Sequence, residues 1–191
     1  MRRICLKALP PLLAVGLLVG LPALAAGPED MTYDFETEVP KAWSEDETHQ
    51  VTGQSQVLGP FNQRNDDYPN KASLRIGKES QGRPLKVEFD LVLLGNWDSQ
   101  GSKADSFTVE DGDGNELLKV EQFPCDLTDK DENLPEGTPG ATKVGKRYMR
   151  HCVLHKSFVL PAGAEEIVFK GKTTGRRSEF WALDNVRLTA G

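Results

Sequence analysis

The sequence predicts an all-β chain folded as a two-sheet antiparallel sandwich. Three observations carry that prediction. Apolar and polar residues alternate in eight or nine segments, the period of a half-buried strand. Clusters of Gly, Pro, Asn and Asp separate these segments, as tight turns require. The 3.6-residue apolar repeat of an amphipathic helix is nearly absent.

The first element is a leader. MRRICLK carries Arg2, Arg3 and Lys7, an apolar run extends from Leu9 to Leu24, and Ala23-Leu24-Ala25 supplies small residues before Ala26. This pattern predicts a secretory signal peptide over 1–25 and one mature domain over 26–191. Pro10, Pro11 and Pro22 break the apolar run, which disfavours a membrane anchor. The expected location is periplasmic or secreted, with no membrane insertion once the leader is removed.

Cleavage after Ala25 leaves 166 residues, enough for one sizeable core. Removing Arg2, Arg3 and Lys7 from 23 basic residues leaves 20 against 29 acidic ones, a net charge of −9. Such a surface repels nucleic acid and anionic membranes and suits neutral ligands, cations or basic partners. Most of these charges do no more than solvate the surface.

Within the domain, MTYDFET places Met31, Tyr33 and Phe35 on one face, and KASLRI does the same with Ala72, Leu74 and Ile76. A weaker segment, SQVLGPF, lies between them. LKVEFDLVLL has Leu85, Val87, Phe89, Leu91 and Leu93 on one face. Its other face begins with Lys86, Glu88 and Asp90 and ends with Val92 and Leu94. That predicts a long central strand whose far end is covered on both sides. SFTVE, NELLKVEQF, CVLHKSFVL, EEIVFKG and EFWALDNVRLT complete the set.

DGDGNE predicts a hairpin turn. An EF-hand would need Gly where Glu116 stands and Glu where Gln122 stands. The polar stretch 126–150, acidic first and basic later, reads as a long loop. Cys125 and Cys152 flank it as the only cysteines of the mature domain and predict one disulfide at its base.

Two stretches hold candidate site residues. In FWALDNVRLTA, Phe180, Ala182, Val186 and Leu188 share an apolar register with Asp184. A carboxylate there must be paired, protonated or coordinated. Calcium, which takes six to eight oxygens, solves the problem. First and last strands of a sandwich often adjoin, so Asp34, Glu36 and Asp184 are the candidate ligands. The alternatives are an ion pair to Arg176, Arg177 or Arg187, or a rim position in water.

In NWDSQGSKAD, Trp97 can offer a flat face to a sugar, with Asn96, Asp98 or Asp105 bonding its hydroxyls. Alternatively, Asp98 and Asp105 hold a second cation, or Trp97 folds onto the sandwich edge and the carboxylates bind turn amides. No Gly-x-Ser-x-Gly, His-Glu-x-x-His or phosphate-cradling loop is present. Two carboxylates can serve a glycosidase, but sequence cannot place them at the required separation.

YDFET followed by Trp43, and ALDNV near the C-terminus, resemble the two ends of calcium-binding jelly-roll modules, among them carbohydrate-binding modules and MAM domains. The resemblance implies a jelly-roll sandwich of galactose-binding-like or concanavalin-like type. It also implies a structural calcium between Glu36 and Asp184, with Asp34 and Asn185 matching less closely. VLGPFN, FDLVLLGNWDSQGSKADSFTV and the Trp181–Val186 segment are similar to uncharacterised exported bacterial proteins, through Phe89, Asp90, Leu91, Trp97, Asp98 and Asp105. That second resemblance implies no activity.

The expected function is therefore a non-catalytic, calcium-stabilised binding module for a glycan or another envelope or extracellular polymer. A structural or adhesive envelope protein stands second, and a glycoside hydrolase or polysaccharide lyase third.

Overall fold

A computed structural model describes residues 30–102, 104–125 and 127–190. The leader expected over 1–25 lies outside the described residues. Twelve strands and one short 3-10 turn make up the regular structure of the described residues.

The larger sheet runs β10 (His151–Leu160), β5 (Leu85–Gly95), β12 (Glu179–Ala190), β3 (Gln56–Phe61), β2 (Thr48–Gln50). β1 (Met31–Tyr33) pairs with the later half of β12, on residues that β3 does not use. The smaller sheet runs β4 (Lys71–Arg75), β11 (Glu166–Lys172), β6 (Ser106–Asp111), β7 (Glu116–Val120). All pairings are antiparallel. The two sheets enclose a core of Leu91, Leu93, Trp181 and Leu183 from one side and Phe107, Val109, Ile167 and Phe169 from the other. The chain is thus the two-sheet antiparallel sandwich expected from its alternation, of the jelly-roll type that the resemblance implies.

β5 has the two faces that its sequence predicts. Leu85 to Leu93 point inward in steps of two, while Val92 and Leu94 join a second apolar cluster on the outer face. What covers them corrects the reading of 126–150 as a plain loop. That segment carries the 3-10 turn Asp129–Asp131 and a hairpin of β8 (Thr142–Val144) and β9 (Arg147–Met149). Val144 and Met149 of this hairpin pack with Val92 and Leu94. Strands of three residues are too short to show a period, so the sequence hides them. Cys125 and Cys152 form the expected disulfide, with Cα atoms 6.1 Å apart. Closing that loop stabilises the fold by about 3 kcal/mol on the chain-entropy model.

The last strand departs from its apparent alternation. Pairing of β12 with β5 shifts register between Asp184 and Arg187, and Asn185 sits at φ +49°. A bulge turns every later side chain to the other face. Trp181 and Leu183 therefore share the inner core with Val186 and Leu188, whereas Phe180 and Ala182 belong to the outer cluster. Asp184 does not share a face with Val186 and Leu188, as the sequence suggests. It continues the outer row, opposite Asp90 of β5.

The first strand is shorter than MTYDFET implies. It stops at Tyr33, and Phe35 turns the chain at φ +58°, a conformation costly for a bulky residue. The turn directs the Phe35 ring into the core, edge-on to Trp43 at 5.4 Å. It leaves Asp34 and Glu36 on an exposed turn rather than on a strand.

Candidate metal centres

The outer-face group lies where β12 passes the turn after β1, and among the described residues Asp34, Glu36, Asp90 and Asp184 do not form a set of three acids with oxygens within 4.8 Å of one another. Asp184 is only 3% exposed. Its Oδ2 accepts a hydrogen bond from Ser55 Oγ at 2.8 Å, and its Oδ1 accepts one from the Asn185 amide at 2.7 Å. Asn185 Nδ2 donates to Asp90 Oδ2 at 2.9 Å, and His155 Nδ1 contacts the other Asp90 oxygen. Glu36 Oε1 accepts from the Gln56 amide at 3.0 Å. Asp184 and Glu36 thus engage consecutive residues at the entry to β3. Asp34 Oδ1 accepts from the Glu36 amide at 3.3 Å, across the turn at Phe35.

Burial raises the Asp184 pKa; the Ser55 and Asn185 hydrogen bonds oppose that, and the negative charges of Asp90 and Glu36 add to it. The arginine partners weighed from sequence are not its neutralisers. Arg187 pairs with Asp30 and Arg176 with Asp66, and among the described residues Asp184 makes no ion pair.

The second group lies at one end of the sandwich and begins with a correction. Trp97 is 6% exposed, and its Nε1 donates to the Phe180 carbonyl at 3.0 Å. Phe123 meets its ring edge-on at 5.1 Å. A ring held this way offers no face to a sugar. The signal was in the sequence: Trp97 extends the inward row of Leu91 and Leu93 by two more steps of two.

Asp105 binds backbone amides, as one of the sequence alternatives expected, whereas the Asp98 carboxylate accepts from the Asn96 side chain, and both meet a third acid. Asp105 Oδ2 accepts from the Asp98 amide at 2.7 Å, and its Oδ1 accepts from the Thr174 amide at 3.0 Å. The same Thr174 amide donates to Glu179 Oε2 at 2.9 Å, and the Gly175 amide donates there too. One oxygen each of Asp98, Asp105 and Glu179 lies within 4.8 Å of the others. This group of three carboxylates could hold a metal ion. Sequence reasoning passed over Glu179 because it looks like a polar strand start. Its parity with Trp181 and Leu183, visible only once the bulge is known, turns it inward.

Burial pushes the Asp105 carboxyl up to about 6, with the charge of Asp98 adding and the Asp98 and Thr174 amide bonds opposing. Glu179 is pushed up to about 7, by burial first and then by the charges of Asp105 and Asp98, against the Gly175 and Thr174 hydrogen bonds. Burial also raises Glu132, to which Asp129 and Asp98 add. Asn96 Nδ2 bridges Asp129 and Asp98, at 2.8 and 3.3 Å. This end of the sandwich therefore concentrates negative charge.

A pH dependence follows for the metal-free protein. A carboxyl with a raised folded pKa binds more protons folded than unfolded, so its contribution is complete at low pH. It is lost as pH rises from near 4 through about 7. In chelator, the melting temperature should fall across that range. Glu179→Gln should flatten the fall, and thermal melts at a series of pH values check it.

The fold and its buried carboxylates define an antiparallel β-sandwich that brings acidic side chains together where strand ends meet. No protein-family model matches the chain, and no curated protein sequence does. Among solved structures, the K2 cleaved adhesin domain of Lys-gingipain is 16% identical with a TM-score of 0.50, over 85% of this chain and 98% of that one. The K1 cleaved adhesin domain of Lys-gingipain from Porphyromonas gingivalis W83 is 14% identical with a TM-score of 0.48, over 86% and 99%. The CBM22-1 xylan-binding domain of Paenibacillus barcinonensis Xyn10C is 13% identical with a TM-score of 0.42, over 84% and 92%. The likeness to the K2 domain is one of fold alone.

Proposed function

We propose that the chain is an exported, non-catalytic β-sandwich module, stapled by calcium, that binds a glycan or another envelope or extracellular polymer. Asp184 carries the calcium reading. Its carboxyl is buried, faces Asp90 and Glu36, and makes no ion pair among the described residues. The acids that act on it, Asp90 and Glu36, offer hard oxygens, and Asp34 is tied to Glu36 through the Glu36 amide. That set fits calcium better than a softer metal. An ion there joins the turn after β1 to β12 and offsets the charge that burial leaves unpaired.

The polymer reading needs a surface other than Trp97. A cleft of about 340 Å³ opens between Tyr68 and the β8–β9 hairpin, lined by Asn65, Asp67, Lys146, Arg147 and Arg177. Tyr68 is half-buried and packs edge-on to Phe180 at 4.9 Å. An aromatic ring flanked by fixed donors and acceptors suits a sugar, whose faces are apolar and whose rim is hydroxyls.

Affinity electrophoresis through gels of neutral and acidic polysaccharides, with calcium present, tests this reading. At least one polymer should retard the protein. Tyr68→Ala and Arg177→Ala should each restore free migration, without loss of the calcium-dependent melt. Free migration of the unaltered protein through every polymer would overturn the polymer reading and leave a structural envelope role.

A further inference from the structure

We propose that Asp98, Asp105 and Glu179 form a second calcium site, separate from the Asp184 group. The three side chains arrive from the loop after β5, the entry to β6 and the start of β12. They nevertheless place oxygens within 4.8 Å of one another. Asp105 is 2% exposed and Glu179 6%. Like charges at this separation cannot all remain ionised without a counter-charge. Among the described residues, none of the three makes an ion pair.

An independent observation points to a ligand. Thr173 is 2% exposed, and its hydroxyl lacks a hydrogen-bond partner among the described residues. It lies just past the end of β11 and continues the inward row of Ile167, Phe169 and Gly171. A Cβ at Gly171 would fall 2.3 Å from Trp181 Nε1, which fixes that row as core-facing. The next amide along, that of Thr174, is the one that donates to both Asp105 and Glu179. Gly171 pairs with Phe107, so the residue two further on lies on the inward face that Asp105 shares, next to the amide that ties two of the carboxylates. A buried hydroxyl without a partner is costly, and here it becomes a ligand or a holder of the ion's water. Trp181 Nε1 likewise lacks a partner, one step deeper on the same wall. It cannot ligate a cation but can donate to a water in the ion's shell.

The donors select the ion. They are oxygens only, without His or Cys, which disfavours zinc. Backbone amides tie Asp105 and Glu179 and the Asn96 side chain ties Asp98, a fixed set that calcium's flexible coordination tolerates better than octahedral magnesium does. The competing arrangement is an Asp105–Glu179 pair sharing a proton, with no metal.

Calorimetric titration of the chelator-treated protein with calcium distinguishes the two. Two ions per chain are expected. Asp184→Asn should lose one, and Glu179→Gln or the half-buried Asp98→Asn should lose the other, weakening it by about a hundredfold. Terbium gives a site-specific readout, because Trp97 adjoins Asp98 in sequence and bonds the carbonyl of the residue after Glu179. Tryptophan-sensitised terbium emission should persist in Asp184→Asn and vanish in Glu179→Gln. Glu179→Gln should still melt cooperatively in chelator, since the amide removes a buried charge. Unchanged stoichiometry and terbium emission in both Glu179→Gln and Asp98→Asn would overturn the site. Displacement of this ion by equimolar magnesium would overturn its assignment to calcium. Failure of the Asp184 site alone reads differently: Asp184→Asn would bind as many ions as the unaltered protein.

Discussion

Chelation should lower the melting temperature of the protein by about 10–20 °C, relative to calcium at about a hundredfold its dissociation constants. Each occupied site adds about 2.7 kcal/mol under those conditions, and a domain of this size gains about 2–4 °C per kcal/mol. The size of the effect follows from where the acids sit. Asp184, Asp105 and Glu179 are buried, so their mutual repulsion is poorly screened when no cation is present. Asp184→Asn should remove about half of the shift and Glu179→Gln the remainder. Scanning calorimetry with calcium, with chelator and after calcium is restored measures all three. A melt indifferent to both calcium and chelator would sink the stapling idea at both sites.

Replacing Trp181 with alanine should cost about 3–5 kcal/mol, the range for deleting a large buried aromatic ring. Trp181 is fully buried between the sheets. It stacks on Phe61 with centroids 4.3 Å apart and meets the edge of Phe107 at 5.2 Å. Gly171 lets it lie against β11, since even a methyl group there would collide with the indole. The neighbouring aromatics come from β3 and β6, two separate strands, so the hole cannot close by a local shift. Urea unfolding should show a lower midpoint at an unchanged slope. A loss under about 1 kcal/mol would mean that the core relaxes around the site. Trp181→Phe should recover much of the loss, because it restores the stacked ring and abandons only an indole N–H that has no protein partner among the described residues.

Much of the architecture was legible because strand formation follows a local period. Alternation in LKVEFDLVLL marked β5 and both of its buried faces, and EEIVFKG and SFTVE marked the strands they form. The even cysteine count identified the disulfide. Asp98 and Asp105 are legible as candidate ligands within one loop whereas Glu179 is not, and Trp97 reads as a site residue although its parity makes it core. β2, β8 and β9 escaped notice because three residues cannot display a period.

By itself the sequence determined which segments alternate, which residues are able to ligate a hard cation, and that two cysteines could bridge. Tertiary structure alone decided which face each late residue of β12 takes and which acids meet. Alternation holds only while pairing stays in register, and register depends on the neighbouring strand. At Asn185 the pairing with β5 slips. The slip puts Asp184 on the outer face beside Asp90, while Val186 and Leu188 enter the core with Trp181. The same geometry turns Glu179 toward Asp105, 74 residues away in the chain. No periodicity within either segment encodes that meeting, because it arises from the stacking of one sheet on the other.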